Sequence, residues 1–328
     1  MCTSLRWWYY HHWQSLFLHY CDCAATWFFF WFKDLGSLNY FLGLQIEYTT
    51  TGLFVHQSKY AHDLLTKFNM LICKPFSNPC ASTHHLVPSH SSLLFDPTAY
   101  RSLVSSLQYM NFIRLDLSYA FQQACQFMSK PTHHHLIATK RILRCLKVLC
   151  TWEFIFRLVP CILSTYCDTD WVGDPVDRRS ITSMVVFLGG SPITWFVKKQ
   201  RIVARSSTEV EYRSLAITTT ELYWLRMLLR DLGVYLYHPP ILWCGNVSAL
   251  ASNPIFYART KHIEVDYHFF REKILNKDMV VKYISTLDQL YDIFTKSLPS
   301  PQFHLLVTKL MGVPPLSLRG DVKTKGKE

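Results

Sequence analysis

From Phe32 onward the hydrophobic and polar positions fall into recognisable periods. Tyr40–Tyr48 (YFLGLQIEY) has the β-branched and aromatic character of a strand, and Thr49–Gly52 reads as a turn. Gln57–Met70 places Tyr60, Ala61, Leu64, Leu65 and Phe68 on one helical stripe. Residues 73–97 are rich in Ser, Pro and His and predict a surface loop. Helices are expected at Thr98–Met110, opened by Asp96-Pro97, at Leu117–Met128 and near His135–Leu149. Pro160 marks a boundary.

Beyond Pro160 the pattern changes to β-β-β-α-β-α-β-α. Strands are predicted at Ile162–Trp171, Ser183–Leu188 and Ile193–Val197, with Gly189-Gly190 turning the second into the third. A long helix covers Ser206–Asp231, and Ile241–Cys244 is a short buried strand. A helix at His262–Leu275, a strand at Met279–Ile284 and a helix at Asp288–Lys296 follow. Hairpins first, then strands alternating with helices, indicate an α/β architecture: a mixed sheet with helical cover.

Composition narrows the classes. The 328 residues leave room for about two domains, at ~150 residues each. Hydrophobic residues are 49% of the chain, enough for sizeable cores and too many for general disorder. The longest apolar run, Cys23–Phe32, is ten residues, whereas a spanning helix needs ~20. A membrane partner is not expected. Only 17% of residues are charged, yet 34 Lys and Arg oppose 23 Asp and Glu. The net charge of +11 points to a polyanionic partner, nucleic acid first. The eleven cysteines are odd in number and form no C-x-x-C pair, so reduced thiols of an intracellular chain are expected rather than a disulfide framework or a zinc site.

Met1–Phe32 stands apart, with thirteen aromatic residues, two charges (Arg6 and Asp22) and no helical or strand period. It lacks the basic start, aliphatic centre and small-residue cleavage site of a signal peptide.

With so few acids, those inside elements carry information. Asp168 and Asp170 are two apart on a strand and share one face. Ser206 and Glu209 form a capping box, which accounts for Glu209 without chemistry. Glu211 heads the stripe Leu215, Thr218, Leu222, Leu225, Leu229, where a carboxylate is costly to bury unless a cation meets it, and no Lys or Arg shares that stripe. Asp292 opens a late helix, where a negative charge is also favoured by the helix dipole. Carboxylates from a strand and two helices meeting at one sheet edge would suit Mg²⁺, a hard ion with oxygen ligands, and two such ions would suit phosphodiester hydrolysis.

The runs FKDLGSLNYFLGLQI, YRSLVSSLQYMNFIRLDLSYA, CQFMSKP, KRILRCLK, YCDTDWVGD, DRRSITSMVVFLGGSPITWFVKKQ, RSSTEVEYRSLA, LWCGNVSALASNPIFYARTKHIEVD and DQLYDIFTKSL resemble, in order, the C-terminal part of copia-type retrotransposon Pol polyproteins, abundant in plants. The resemblance covers about residues 32–313. It implies a mostly helical reverse transcriptase thumb and connection segment over 32–150. Over 160–313 it implies a ribonuclease H-like mixed five-stranded sheet with flanking helices, followed by a basic tail at 314–328. In that family four acids hold two Mg²⁺ ions and cut the RNA of RNA–DNA hybrids. Three acids carry over to Asp168, Glu211 and Asp292.

The departures shape the functional expectation. Gly245 stands where the family has its third acid, Tyr291 replaces an alanine, Ile113-Arg114-Leu115-Asp116 replaces Thr-Arg-Pro-Asp, and Ser105 replaces a glycine. The polymerase palm motif, expected just upstream of residue 32, is absent. Read one base later under one choice of codons, Arg6–Gln14 spells a palm strand with both aspartates turned to glycine, so residues 1–31 are expected to be a frameshifted copy. Lys198, Lys199, Arg201, Arg205, Arg259, Lys261 and His262 are the candidate contacts to an RNA–DNA hybrid or other nucleic acid. His133–His135 is expected to be exposed loop or a helix start, and Trp171 and Trp195 to be core. The expectation is a degenerate reverse transcriptase and ribonuclease H segment whose ancestral hydrolysis is lost. The alternatives are a non-catalytic binding remnant and a decayed reading frame with no selected role.

Overall fold

The structure, a computed structural model, describes residues 37–50, 52–81, 86–88, 92–148, 154–157, 161–245, 261–285 and 291–311. The expected frameshifted segment 1–31, the basic tail and Arg259 lie outside the described residues.

The first half is a small antiparallel sheet backed by helices. Strands β1 (Tyr40–Phe41), β2 (Leu44–Thr49), β3 (Gly52–His56) and β4 (Phe154–Arg157) pair in that order. The single strand expected over Tyr40–Tyr48 is a hairpin instead. Leu42 and Gly43 both take positive φ, 50° and 75°, as a two-residue turn with a right-handed strand twist requires. The Tyr109 hydroxyl donates to the Leu42 carbonyl and its ring lies over Gly43, where a Cβ would come 3.1 Å from Cε1. Helix α1 (Ser58–Lys67) buries Ala61, Leu64 and Leu65. It packs with α2 (Thr98–Met110), α3 (Ser118–Cys125), entered through a 3-10 turn at Leu115–Leu117, and α4 (His133–Val148).

The second half contains the mixed five-stranded sheet expected from the resemblance. Its strands are β5 (Leu163–Asp170), β6 (Ile181–Leu188), β7 (Ser191–Lys199), β8 (Ile241–Cys244) and β9 (Val280–Tyr283), in the spatial order β7-β6-β5-β8-β9. The β5–β6 and β6–β7 pairs are antiparallel, and β5–β8 and β8–β9 are parallel. Parallel neighbours need a crossover, which α5 (Ser207–Asp231) and α6 (Lys261–Leu275) supply. Ser206 caps α5 by accepting from the Glu209 N–H at 3.2 Å.

The two faces of this sheet have different cover. Leu163 and Cys167 of β5, with Met184 and Val186 of β6, pack under Leu215, Leu222 and Leu225 of α5 and Phe270 of α6. Tyr166, Val185 and Phe187 face the other way, into a core built with Leu103, Leu107, Leu115 and Leu143 of the first half. Burial on both faces explains why β6 is apolar or buried at nearly every position rather than alternating. Residues from both halves therefore share one core. A short helix, α7 (Asp292–Thr295), and α8 (Ser300–Met311), which sequence periodicity did not reveal, seal it with Phe294, Phe303, Leu306 and Val307. Hydrogen bonds cross the same seam, from Trp195 Nε1 to Asn111 O at 3.1 Å and from Asn78 Nδ2 to Leu298 O at 3.0 Å.

His133 and His134 are exposed at the start of α4. His135 departs from the exposed-loop expectation: it is buried, stacked on Phe127 at 3.9 Å, and its Nδ1 accepts from the Thr132 N–H at 3.1 Å. It serves as a local cap.

Candidate active site at the end of the central strand

Strand β5 is central, so Asp168 and Asp170 near its C-terminal end do not lie on a wet edge. They share the face of Tyr166, toward α7. Asp168 is half-buried and lies opposite Ser183 of β6. Its Oδ2 accepts from Thr295 Oγ1 at 2.8 Å. Burial pushes its carboxyl pKa up; the Thr295 hydroxyl and the Lys296 charge oppose this, the nearby Asp292 charge adds to it, and the net direction is upward.

Asp292 is the first residue of α7, and its Oδ1 accepts from Lys296 Nζ at 2.6 Å, one helical turn on. Burial alone would lower the Lys296 pKa. The bond to Asp292 and the charges of Asp292, Asp168 and Asp170 outweigh it and raise the pKa. Lys296 thus sits in the field of three carboxylates. Tyr291, just before α7, is fully buried and stacks on Tyr166 with ring centroids 4.7 Å apart. Its hydroxyl has no hydrogen-bond partner among the described residues, nor has the buried Ser183 Oγ. Burial drives the Tyr291 pKa far upward.

The other two expected positions do not complete this group. The stripe Leu215, Thr218, Leu222, Leu225 and Leu229 is buried as expected, and Glu211 at its start is half-buried. Helix α5 covers the opposite face of the sheet from Asp168. Among the described residues no group of three or more His, Cys, Asp or Glu side chains is placed to hold a metal ion. Gly245 is exposed and follows Cys244, the last β8 residue in register with β5, where Cys244 pairs with Cys167. It therefore stands beside Asp168 on the neighbouring strand and offers no side-chain oxygen.

Of the basic candidates, Lys198 near the end of β7 and Arg201 and Arg205 between β7 and α5 are exposed. Lys199 is engaged within the fold: its Nζ donates to Asp174 Oδ2 at 2.6 Å and to Asp177 Oδ2 at 3.0 Å. Asp174 is buried, which raises its pKa, but the Lys199 ammonium and the N–H groups of Val176 and Asp177 bring it below the usual carboxylate value. Lys261 and His262 open α6, and their side chains lie outside the described residues. Trp171 corrects the core expectation: it is 49% exposed, with Nε1 donating to Ala204 O at 3.4 Å, beside the Arg205 loop. Trp195 does pack against the core.

Sequence reasoning missed Thr295, Lys296 and the Asp174–Lys199 pair. An acid four residues before a lysine was a readable signal for the Asp292–Lys296 pair. The Lys199 pair joins residues 25 apart and had no local signal.

No protein-family model matches the chain. It is 43% identical over 281 residues to the retrovirus-related Pol polyprotein from transposon RE1 of Arabidopsis thaliana, covering 85% of this chain and 19% of that one. The chain spans about one fifth of the length of the Pol polyproteins it matches. It is also 43% identical over 194 residues to the uncharacterized mitochondrial protein AtMg00810 of Arabidopsis thaliana, covering 58% of this chain and 80% of that one. A solved foamy viral protease–reverse transcriptase in complex with RNA/DNA hybrid aligns over 88% of this chain and 31% of its own, with 12% identity and a TM-score of 0.43. By its sequence relatives, the chain belongs to the Pol polyprotein family of copia-type retrotransposons.

Proposed function

We propose that this chain is a reverse transcriptase and ribonuclease H-like segment of a retrotransposon Pol polyprotein that has lost hydrolysis and retains a nucleic-acid-facing surface. The observation that carries the loss is Gly245. It stands beside Asp168 at the end of β8, where the family's third acid is expected. A two-ion site works by fixing both ions and balancing the charge its acids bring together. The residues present do not fit a pair of Mg²⁺ ions. Asp168 and Asp292 are held by Thr295 and Lys296, no third acid is grouped with them among the described residues, and Tyr291 is stacked on Tyr166, two residues before Asp168.

The binding half of the proposal rests on the +11 charge and on the exposed Lys198, Arg201 and Arg205, the last of which follows Ala204, the acceptor of the Trp171 N–H. Arg259, Lys261 and His262 stand in the ARTKHIE run, and their contact to a hybrid is proposed from the family resemblance alone. Phosphate contacts release counterions, so affinity should fall steeply with salt. The test uses the full chain with an RNA–DNA hybrid, reading binding against salt and cleavage in Mg²⁺. Salt-sensitive binding without cleavage is expected. Strong cleavage overturns the loss, and binding indifferent to salt overturns the surface.

A second reading, a decayed frame with no selected role, is favoured by local mismatches. Tyr291 buries a hydroxyl without a partner among the described residues, and β-branched Val172 is held at φ 60°. Detection of the translated chain in tissue would argue against it.

A further inference from the structure

We infer that the cleft between strand β7 and helix α5 binds a long-chain carboxylate, with its tail along the helix and its charged end at Lys198 and Arg201. On the sheet face that α5 covers, the only helical residues in the core come from α5 and α6, among the described residues. Helix α6 takes one flank of α5, where Tyr212 and Tyr267 meet edge to face with ring centroids 5.2 Å apart. Toward β7 a cleft of about 1210 Å³ is left. It is lined by Ile217, Glu221, Trp224 and Leu228, which fall on one stripe of α5, and by Ile193 and Phe196 of β7. This stripe is separate from the buried one of Leu215, Leu222, Leu225 and Leu229. Ile217 is 45% exposed, and Trp224, Ile193 and Phe196 are only partly buried. A helix that is apolar on two sides calls for cover on both.

The cleft has a polarity. The chain turns from β7 into α5 within residues 200–206, so the end of the strand and the start of the helix share one end of it. That end is cationic. Lys198 is two residues beyond Phe196 and on the same face of the strand, Arg201 follows, and Arg213 stands one turn before Ile217. Arg213 is bound to Glu209 at 2.6 Å, and Lys199 to Asp174 at the same distance. Lys198 and Arg201 pair with no acid among the described residues. The far end, at Leu188, Leu228 and Leu232, is apolar. Glu221 is the only acid lining the cleft among the described residues, two turns beyond Arg213, and it repels an anionic group placed midway. From Arg213 to Leu228 the helix rises about 22 Å, a track for an extended alkyl chain rather than a compact solute. Ligand clefts are mostly apolar, with a few polar groups that fix orientation. A carboxylate at Lys198 and Arg201 and a tail against Ile217, Trp224 and Leu228 meet both conditions.

The experiment is displacement of the fluorescent fatty acid cis-parinaric acid from the full chain, with folding of each variant checked by melting. Nucleic acid is left out, because Lys198 and Arg201 are also candidate phosphate contacts. Palmitate should displace the probe. Hexadecanol and hexadecyltrimethylammonium share its tail without its charge and should do so at least about tenfold less well, the scale of one lost hydrogen bond to a charged group. Lys198→Glu with Arg201→Glu should weaken palmitate by the same factor and leave hexadecanol unchanged. Ile217→Glu, at a position open enough to accept the charge, should weaken both. Ile137→Glu, on α4 outside the cleft and 67% exposed, should alter neither. No binding of palmitate overturns the inference, as does equal displacement by the anionic and cationic amphiphiles. Binding that survives Ile217→Glu, or that falls equally with Ile137→Glu, overturns it too. Uptake onto phosphatidylserine vesicles without binding of free palmitate marks a membrane-facing surface and overturns the cleft. Should the charge-reversed chain not fold, the three amphiphiles on the unmodified chain, with Ile217→Glu, decide.

Discussion

The Arg114 guanidinium grips the Asp116 carboxylate in two parallel hydrogen bonds, Nε to Oδ1 at 2.8 Å and Nη2 to Oδ2 at 2.6 Å, with the side chains only 3% and 0% exposed. The pair sits where the 3-10 turn enters α3, near Cys145 of α4, beside the core shared by both halves. Its geometry is the fork-on-fork arrangement that makes Arg–carboxylate pairs directional. Breaking a buried pair leaves a desolvated charge unmatched, which costs about 3–5 kcal/mol. Asp116→Ala should lower unfolding stability by that amount in urea denaturation. Asp116→Ala with Arg114→Met should recover part of the loss. A single substitution costing under ~1 kcal/mol would mean that solvent reaches the pair.

Tyr291 offers a substitution that should stabilise. A buried hydroxyl without a partner forfeits its hydration, at about 1–3 kcal/mol. Tyr291→Phe keeps the ring on Tyr166 and removes the hydroxyl, so the melting temperature should rise. Tyr291→Ala should instead leave a cavity and cost about 3–5 kcal/mol. A fall in melting temperature with Phe would show that the hydroxyl is paired.

Val172 follows Trp171 in the turn after β5, where the Gly173 N–H donates to Asp170 O at 3.3 Å. Its φ of 60° is strained for a β-branched residue. Val172→Gly should raise stability by about 1 kcal/mol. Gly173→Ala next door should do the reverse, because a Cβ there would collide with the Asp170 carboxylate. Chemical denaturation of the two variants reads both signs.

Two carboxylates should respond to pH in opposite senses. Asp174 has a lowered folded pKa, so its contribution is full above the unfolded value of ~3.9 and is lost as the pH falls through the folded value. Asp168 has a raised folded pKa, first through burial. Its penalty grows as the pH rises from ~3.9 through the folded value and is complete above it. Asp168→Asn should therefore stabilise the metal-free protein at neutral pH, with the gain vanishing in acid. Asp174→Asn should destabilise it at neutral pH, and the difference should shrink in acid. Melting curves from acid to neutral pH that show the same sign for both variants would refute this.

The parts legible in the sequence are those with a strong period and a local signal. Helix α5 read almost to the residue because Ser206 and Glu209 mark its start and the leucine stripe carries it to Asp231. Strands β5 to β8 were legible because each is a short apolar run bounded by turn residues. The first sheet was not, because β3 pairs with β4 across about one hundred residues and no local pattern encodes that partner. The hairpin at Leu42-Gly43 was hidden by a leucine in a conformation usually left to glycine or asparagine. Within the site, the placement of Asp168 and Asp292 followed from the elements that carry them. The exposure of Trp171 and the capture of Lys199 by Asp174, by contrast, are tertiary outcomes.

Gly245 is the position at which a missing oxygen donor can be put back. Its position after Cys244, in parallel register with Cys167, puts any side chain there next to Asp168. Aspartate at 245 would bring back the missing oxygen donor and add a negative charge to a site already holding Asp168, Asp170 and Asp292. Without metal, like charges this close repel, so Gly245→Asp should melt below the unmodified chain. With Mg²⁺ the added charge becomes a ligand, so the deficit should shrink and some hybrid cleavage should appear. That activity should disappear again when Asp168→Asn or Glu211→Gln is added, because each removes one of the remaining family acids. Losses in the surroundings of metal sites already cost ~10–100-fold, so loss of a direct ligand should cost at least as much. The informative comparison is cleavage of a labelled hybrid by the unmodified chain, Gly245→Asp and the two double variants, with folding checked by melting. If folded Gly245→Asp remains inert and insensitive to Mg²⁺, the absent third acid is not what disabled the site. The filled position of Tyr291 then becomes the cause to test, by adding Tyr291→Ala.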